Sequence, residues 1–404
     1  MKLPFSLYGA LPEYEILESL CEENAASGLP ALLSLAAKYG LSGNLWQSFL
    51  SYLLAFDENP FSLALEMRSE ADGGSFAAFA KQDLSHFYHL FWSPIPLEND
   101  LLSDFSLPDF SPHTTYFEAG NMCNLLAKAL CSTTGEADFF DCVAHFYQTY
   151  GVGKIGLFRA FRLNEKSGQK LSPAAELSSV RLSDLWGYDL QKALLTDNTA
   201  SFLEGKGGNN VLLYGDSGTG KSTSVKAILN EHYEKGLRMI EIFKGEFSQL
   251  PTLIESLRAR NYKFIIYMDD LSFEEFEIEY KYLKAIIEGG LSPKPENVLI
   301  YATSNRRHLI RETWKDRRET DENLHPGDTV QEKLSLSDRF GLSINFSTPR
   351  QAEYFDMVRY LANKNHLALD DEELIRRARI WSLEHAKMSG RVAQQFINHL
   401  LGEA

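Results

Sequence analysis

At 404 residues the chain is longer than one compact domain usually runs, so two or three domains are expected. Hydrophobic residues make up 44% and charged residues 24%, which suits globular cores and not a disordered chain. The net charge of -15 is uneven: the first 180 residues hold 10 Lys and Arg against 21 Asp and Glu, the rest 30 against 34. An acidic N-terminal part is a poor surface for phosphate backbones, so direct nucleic-acid binding is disfavoured there.

No stretch approaches the about eighteen apolar residues of a membrane span. No signal-peptide core follows Met1-Lys2-Leu3-Pro4, so the cytoplasm is the expected compartment. Cys21, Cys123, Cys131 and Cys142 form no Cys-x-x-Cys pair, which argues for buried, reduced thiols over a disulfide or zinc framework.

Taken in order, residues 13–152 read as helical. Glu13–Glu23, Pro30–Tyr39, Leu45–Phe56, Ser75–Trp92, Thr115–Cys131 and Ala137–Thr149 all carry apolar residues at three- and four-residue spacing. Phe76, Phe79, Leu84, Phe87, Leu90 and Phe91 form one stripe, expected to be a core face. Ser93–His113 reads as a long loop, and His86, His89 and His145 as isolated packing or surface residues. Nothing here forms a catalytic constellation. Lys154–Arg162 reads as a strand and Asn164–Ser179 as a linker, which places a boundary near residue 175.

From Val211 onward strands and helices alternate, the pattern of a parallel sheet covered on both faces. The expected strands are Val211–Tyr214, Arg238–Phe243, Phe264–Met268, Val298–Thr303 and Leu342–Phe346. Helices are expected at Asp189–Glu204, Lys221–Tyr233, Gln249–Arg260, Phe273–Glu288 and Leu309–Trp314. Glu312–Lys333, dense in both charge signs, reads as a solvated insertion. After Pro349 the chain is wholly helical: Arg350–Lys364, Asp371–His385 and Gly390–Leu401.

The sharpest motif is Gly215-Asp216-Ser217-Gly218-Thr219-Gly220-Lys221-Ser222, followed by Thr223, which fits Gly-x-x-x-x-Gly-Lys-Ser between a strand and a helix. Glycines let backbone N–H groups converge on phosphate oxygens, and the helix N-terminus adds its positive end. Lys221 would reach the β- and γ-phosphates, and Ser222 would ligate Mg²⁺. Phe264–Met268 ends in Asp269-Asp270. Such a strand is expected beside the phosphate-loop strand, with Asp269 on Mg²⁺ and Asp270 polarising the attacking water. Asn305, with Ser304 second, is the polar candidate at the tip of the next strand. Arg339 and Arg391 are candidate charge stabilisers, because phosphoryl transfer needs positive charge where negative charge develops.

The order of these motifs, with Asp338-Arg339-Phe340 and Gly390-Arg391, resembles an AAA+ ATPase across about residues 180–404. Asn209–Tyr214, Asp269-Asp270-Leu271-Ser272-Phe273-Glu274 and Ala302–Leu309 are similar to a bacterial family of AAA+-like ATP-binding proteins catalogued as a domain of unknown function. That resemblance implies a P-loop α/β core (176–348), a helical lid (349–404) and a preceding helical domain (1–175). It implies ATP and Mg as cofactors, Asn305 as sensor 1, Arg339 as a finger offered to a neighbouring subunit, and Arg391 as sensor 2. Asp184–Tyr188, with Gly187 and Tyr188, would border the adenine. A homo-oligomer follows, a ring such as a hexamer or an open helix, acting on an unidentified protein or nucleoprotein partner. Two functions are open: an ATPase that remodels or loads a macromolecule, and a slow nucleotide switch serving as an assembly module. Two aspartates in place of Asp-Glu imply slow turnover, and the short reach around Phe243-Lys244-Gly245 counts against a peptide-threading unfoldase; both lean toward the switch or the loader.

Overall fold

The computed structural model describes residues 5–21, 28–67, 74–93, 111, 118–164, 170–174, 178–273, 279–288, 295–307, 309 and 336–403. The chain divides into two compact units, residues 1–159 and 160–404. Most of the 93–113 loop, all of the 312–333 insertion, the expected Leu309–Trp314 helix beyond Leu309, His308 and the start of the 273–288 helix lie outside the described residues.

The first unit is helical: α1 (Tyr14–Cys21), α2 (Leu29–Tyr39), α3 (Leu45–Phe56), α4 (Pro60–Met67), α5 (Gly74–Trp92), α6 (Glu118–Leu130), α7 (Glu136–Tyr150) and α8 (Gly153–Leu157). Every residue of α3 except Gln47 is buried, and the Asn44 side chain caps its first turn by accepting the Gln47 N–H at 3.1 Å. Two buried acids hold the segment before α1. Asp83 accepts the N–H groups of Ser6, Leu7 and Tyr8 at 2.7 to 3.2 Å, and Asp57 accepts that of Gly9 at 2.8 Å.

Several expectations for this unit are corrected. The α5 stripe is core from Leu84 through Phe87 to Phe91, but Phe76 and Phe79 near the helix start are 46% and 51% exposed. Periodicity assigns a face to a helix without saying how far along its length the partners reach. Cys123 is buried, whereas Cys131 is exposed. Pro60–Met67 is a helix that the sequence reading passed over. The first half of the expected Lys154–Arg162 strand is α8. Gly156 packs so closely on the preceding turn that a Cβ would stand 2.9 Å from the Gly151 carbonyl carbon, which a helical turn built on glycine permits.

The second unit holds a seven-stranded sheet in the order β2-β1-β4-β5-β6-β3-β7. The strands are β1 (Ala160–Asn164), β2 (Lys170–Pro173), β3 (Val211–Gly215), β4 (Leu237–Glu241), β5 (Lys263–Met268), β6 (Val298–Ser304) and β7 (Leu342–Phe346). All neighbours run parallel except β1 and β2, which pair antiparallel. β1 is the second half of the expected Lys154–Arg162 strand, β2 lies in the sheet where a linker was expected, and the division falls at 159/160 and not near 175. β5 and β6 are buried along nearly their whole length, as strands covered on both faces must be.

β6 lies between β3 and β5, pairing Leu213 with Thr303 on one side and Met268 with Ala302 on the other. The two-acid strand is therefore not beside the phosphate-loop strand. Apolar runs mark strands but carry no record of which strand pairs with which.

Helices α9 (Asp189–Leu203), α10 (Lys221–His232), α11 (Leu250–Leu257) and α12 (Glu279–Glu288) accompany the sheet. The expected Gln249–Arg260 helix is present as Leu250–Leu257 with Pro251 in its first turn, and a 3-10 turn over Lys244–Gln249 leads into it. The last three helices, α13 (Gln351–Lys364), α14 (Asp371–Glu384) and α15 (Gly390–Glu403), share a core of their own around Tyr354, Val358, Ala378, Phe396 and Ile397.

Candidate functional site

A cavity of about 860 Å³ opens in the second unit, between the ends of β3, β5 and β6 and helices α13 and α15. It is lined by Ser217 to Ser224, Asp269, Asp270, Thr303, Asn305, Arg391 and Tyr188, among others. The cleft thus gathers most of the residues singled out from sequence. Gly215, Asp216, Gly187 and Arg339 are not among its lining residues.

The loop after β3 is shaped by glycine. Gly215, Gly218 and Gly220 have φ of 129°, 80° and 96°, and a Cβ on Gly215 would stand 2.2 Å from the Phe346 carbonyl oxygen. The first intrahelical bond of α10 runs from Ser224 N–H to Gly220 C=O at 2.8 Å. None of the backbone N–H groups from Ser217 to Thr223 has an acceptor among the described residues. That row of donors at a helix N-terminus is a concavity for an anion.

Lys221 is buried, and its Nζ donates to the Gly215 and Asp216 carbonyls at 2.8 and 2.7 Å and to Asn305 Oδ1 at 3.2 Å. Burial pulls its pKa below the usual lysine value, with Asp216, Asp270 and Asp269 opposing. Carbonyls are neutral acceptors, and anionic oxygens would satisfy this ammonium more strongly.

Asp269 sits at the tip of β5. Its Oδ1 accepts the Ser222 and Thr303 hydroxyls, each at 2.6 Å. Burial would raise its pKa, but the donated hydroxyls prevail and hold it below the usual carboxylate value. Asp270 follows with φ of 50°, in the left-handed region that few non-glycine residues adopt. Asn305 Nδ2 donates to its Oδ1 at 2.7 Å, and Thr303 Oγ1 accepts its N–H at 2.9 Å. Asn305 therefore bridges Lys221 to Asp270. Ser304, the alternative candidate, is buried and its hydroxyl accepts the Arg306 N–H at 3.2 Å.

The C-terminal helices meet the loop directly. Arg391 N–H donates to the Gly218 carbonyl at 3.1 Å, and the Lys387 ammonium donates to Ser217 Oγ at 2.7 Å. The Asp216 carboxylate accepts both the N–H and the hydroxyl of Thr348, at 2.8 and 2.7 Å. At the other side, Gly187 and Tyr188 make a left-handed turn, with φ of 72° and 57°. The Tyr188 ring lies 5.1 Å from that of Phe346, and its hydroxyl donates to the Ser347 carbonyl at 2.8 Å. Trp186, Met357 and Leu361 add apolar surface there.

The donor set fits a polyphosphate with a hard divalent cation. Ser222 and Asp269 are oxygen ligands already drawn together, and Mg²⁺ takes few protein oxygens and shares the rest with phosphate and water. Trp186 falls within the Asp184–Tyr188 segment expected to border the adenine. Sequence reasoning did not single out Thr303 or Lys387 as functional: Thr303 ends an apolar run two residues before Asn305, its one local sign, and Lys387 carries none.

Phosphate loop, paired acids, polar tip on an interposed strand and a helical lid together define an AAA+-like P-loop fold. The chain belongs to the family described as "Protein of unknown function (DUF815)", which matches residues 157–404, more than half of the chain. Among solved structures it is similar to the Thermotoga maritima RuvB Holliday junction branch migration motor, at 15% identity over 54% of this chain and 71% of that one, with a TM-score of 0.32. An arginine-to-alanine variant of that motor matches at 14% identity over 54% and 71%, with a TM-score of 0.33. A proline-to-glycine variant matches at 15% over 54% and 72%, with a TM-score of 0.32. No curated protein matches the chain.

Proposed function

We propose that the second unit binds ATP with Mg²⁺ and hydrolyses it, coupling the cycle to remodelling or loading of a macromolecular partner. The observation that carries this reading is the open row of N–H groups from Ser217 to Thr223 beside the Ser222–Asp269 pair. Mg²⁺, when bound, neutralises charge on the phosphate oxygens. Ser222 and Asp269 would hold it, and Lys221 would exchange its carbonyl partners for phosphate oxygens. Asp270, steadied by Asn305, would orient the attacking water, and Arg391 would bring positive charge from the lid. Gly187 and Tyr188 would shape the wall against the base.

Arg339 lies outside this cavity's lining, which suits a residue serving a neighbouring copy in a ring or open helix. The partner would be a protein or nucleoprotein, met in the cytoplasm. A second reading, a slow switch, is favoured by one observation: the water-side acid is an aspartate whose carboxylate is engaged by Asn305 at 2.7 Å. Turnover that stays low with every candidate partner would select it.

One mixing experiment tests the core of the proposal. Lys221→Ala should weaken ATP binding by about ten- to a hundredfold in calorimetry, as expected for losing a charged hydrogen-bond donor, and leave the fold intact. Arg339→Ala should bind ATP nearly as the parent does but turn it over poorly. Combined, the two inactive proteins should regain part of the activity at interfaces that pair an intact loop with an intact arginine. Unchanged ATP affinity in Lys221→Ala would end the binding assignment. A co-assembled mixture without recovered turnover would end the shared site.

A further inference from the structure

The interposed strand gives Thr303 contacts that no other residue of the cleft has. It is 1% exposed, one residue from the end of β6. Its hydroxyl donates to Asp269 Oδ1 at 2.6 Å and accepts the Asp270 N–H at 2.9 Å, while its carbonyl accepts the Leu271 N–H at 2.7 Å. One residue thus bonds three successive residues of the acid turn. A hydroxyl has a single proton, so donating it to Asp269 leaves a lone pair for the Asp270 N–H. The result is a directed relay, from the Asp270 amide through the Thr303 hydroxyl to the Asp269 carboxylate.

That relay has something to hold. Asp270 sits at φ 50°, a conformation disfavoured for a side chain with a Cβ and kept only where its surroundings fix it. Without the hydroxyl, the Asp270 N–H would lose this acceptor and Asp269 the Thr303 donor. Asp269 would keep the Ser222 hydroxyl, but Ser222 is itself needed elsewhere if it ligates a cation.

We propose that Thr303 is a positioning residue that sets the cation-side acid and the water-side acid relative to each other. The proposal rests on the ATP–Mg²⁺ reading above and names no contact between Thr303 and the nucleotide. It makes the two acids one mechanical unit, so that moving either displaces the other.

The test compares Thr303→Val, which keeps the shape and removes the hydroxyl, with Thr303→Ser, which keeps the hydroxyl and removes the methyl. Thr303→Val should lower kcat by about ten- to a hundredfold, the usual cost of removing a group that orients a metal ligand. It should raise the Mg²⁺ concentration needed for full ATP affinity and leave Mg²⁺-free ATP binding at the parent's value, because the phosphate loop is untouched. Thr303→Ser should recover most of kcat and of the Mg²⁺ dependence. A packing role predicts the opposite ranking, with Val retaining more activity and melting higher than Ser in step. If Thr303→Val does not fold, Thr303→Ala against Thr303→Ser isolates the same hydroxyl. A folded Val variant with the parent's kcat and Mg²⁺ dependence overturns the proposal, as does equal impairment in Ser and Ala. A parent that binds no ATP overturns the functional reading and this inference with it. An active parent beside an unaffected Val variant overturns the inference alone.

Discussion

Each unit carries a notable pair of aspartates, and the pairs behave in opposite ways. Asp57 and Asp83 are fully buried, and their carboxylates receive backbone N–H groups from the segment before α1. Asp269 and Asp270 stand exposed at the end of β5 and receive side-chain donors, from Ser222, Thr303 and Asn305. Burial pushes the Asp57 carboxyl above its usual pKa despite the Gly9 N–H, whereas donated hydroxyls hold Asp269 below its own. A backbone donor is fixed by the fold and cannot be surrendered to a ligand. A hydroxyl or carboxamide can turn away when something better arrives. The first pair therefore builds structure, and the second is available for chemistry.

The sharpest way to break that contrast is to neutralise one acid of the exposed pair. Asp270→Asn should keep ATP–Mg²⁺ affinity and the melting temperature, and lose about a thousandfold in turnover, the range for removing a general base. Turnover equal to the parent's would mean another residue orients the water. Asp270→Glu is its companion: a faster variant would show that the shorter side chain limits reach.

Next in size is the buried pair. Asp83→Ala leaves the N–H groups of Ser6, Leu7 and Tyr8 without their acceptor and should destabilise the chain by about 3 kcal/mol. ATP affinity should stay at the parent's value. Chemical denaturation and calorimetry on the same protein check both halves, and loss of ATP binding without loss of stability would invert the comparison.

The smallest effect is a pH dependence. Because burial raises the folded pKa of Asp57, the folded state binds its proton more tightly than the unfolded state does. The favourable contribution is complete below the unfolded value of about 3.9 and is lost as pH rises through the raised folded value. Asp57→Asn removes this dependence while preserving an acceptor for Gly9. The melting temperature of Asp57→Asn, relative to the parent, should therefore climb from acid toward neutral pH and then level off. A difference that stays flat over that range would show that the fold does not raise the pKa of this acid.

The sequence announced elements well and neighbours poorly. β3 and β5 were legible because Val211–Tyr214 and Phe264–Met268 are apolar runs bounded by glycine and aspartate, and the phosphate loop because its spacing is strict. The placement of β6 was not legible, since strand pairing depends on contacts far apart in the chain. The part Thr303 plays was not legible for the same reason: its hydroxyl meets Asp269 because β6 brings it against the β5 tip. Lys387 reaches Ser217 across 170 positions, a contact without a local signature. In the first unit the α5 stripe gave the buried face correctly from Leu84 to Phe91, while the exposure of Phe76 and Phe79 depends on where neighbouring helices stop.

The bond from Asp216 to Thr348 has a mechanical meaning. Thr348 lies between the end of β7 and the start of α13, where the last three helices join the sheet. That junction is fastened to the loop that would grip phosphate, and the chain returns to the same loop through Lys387, just after α14, and Arg391, in the first turn of α15. A bundle tied to its load at two points would register a shift of that loop, on gaining or losing an anion, at both ties.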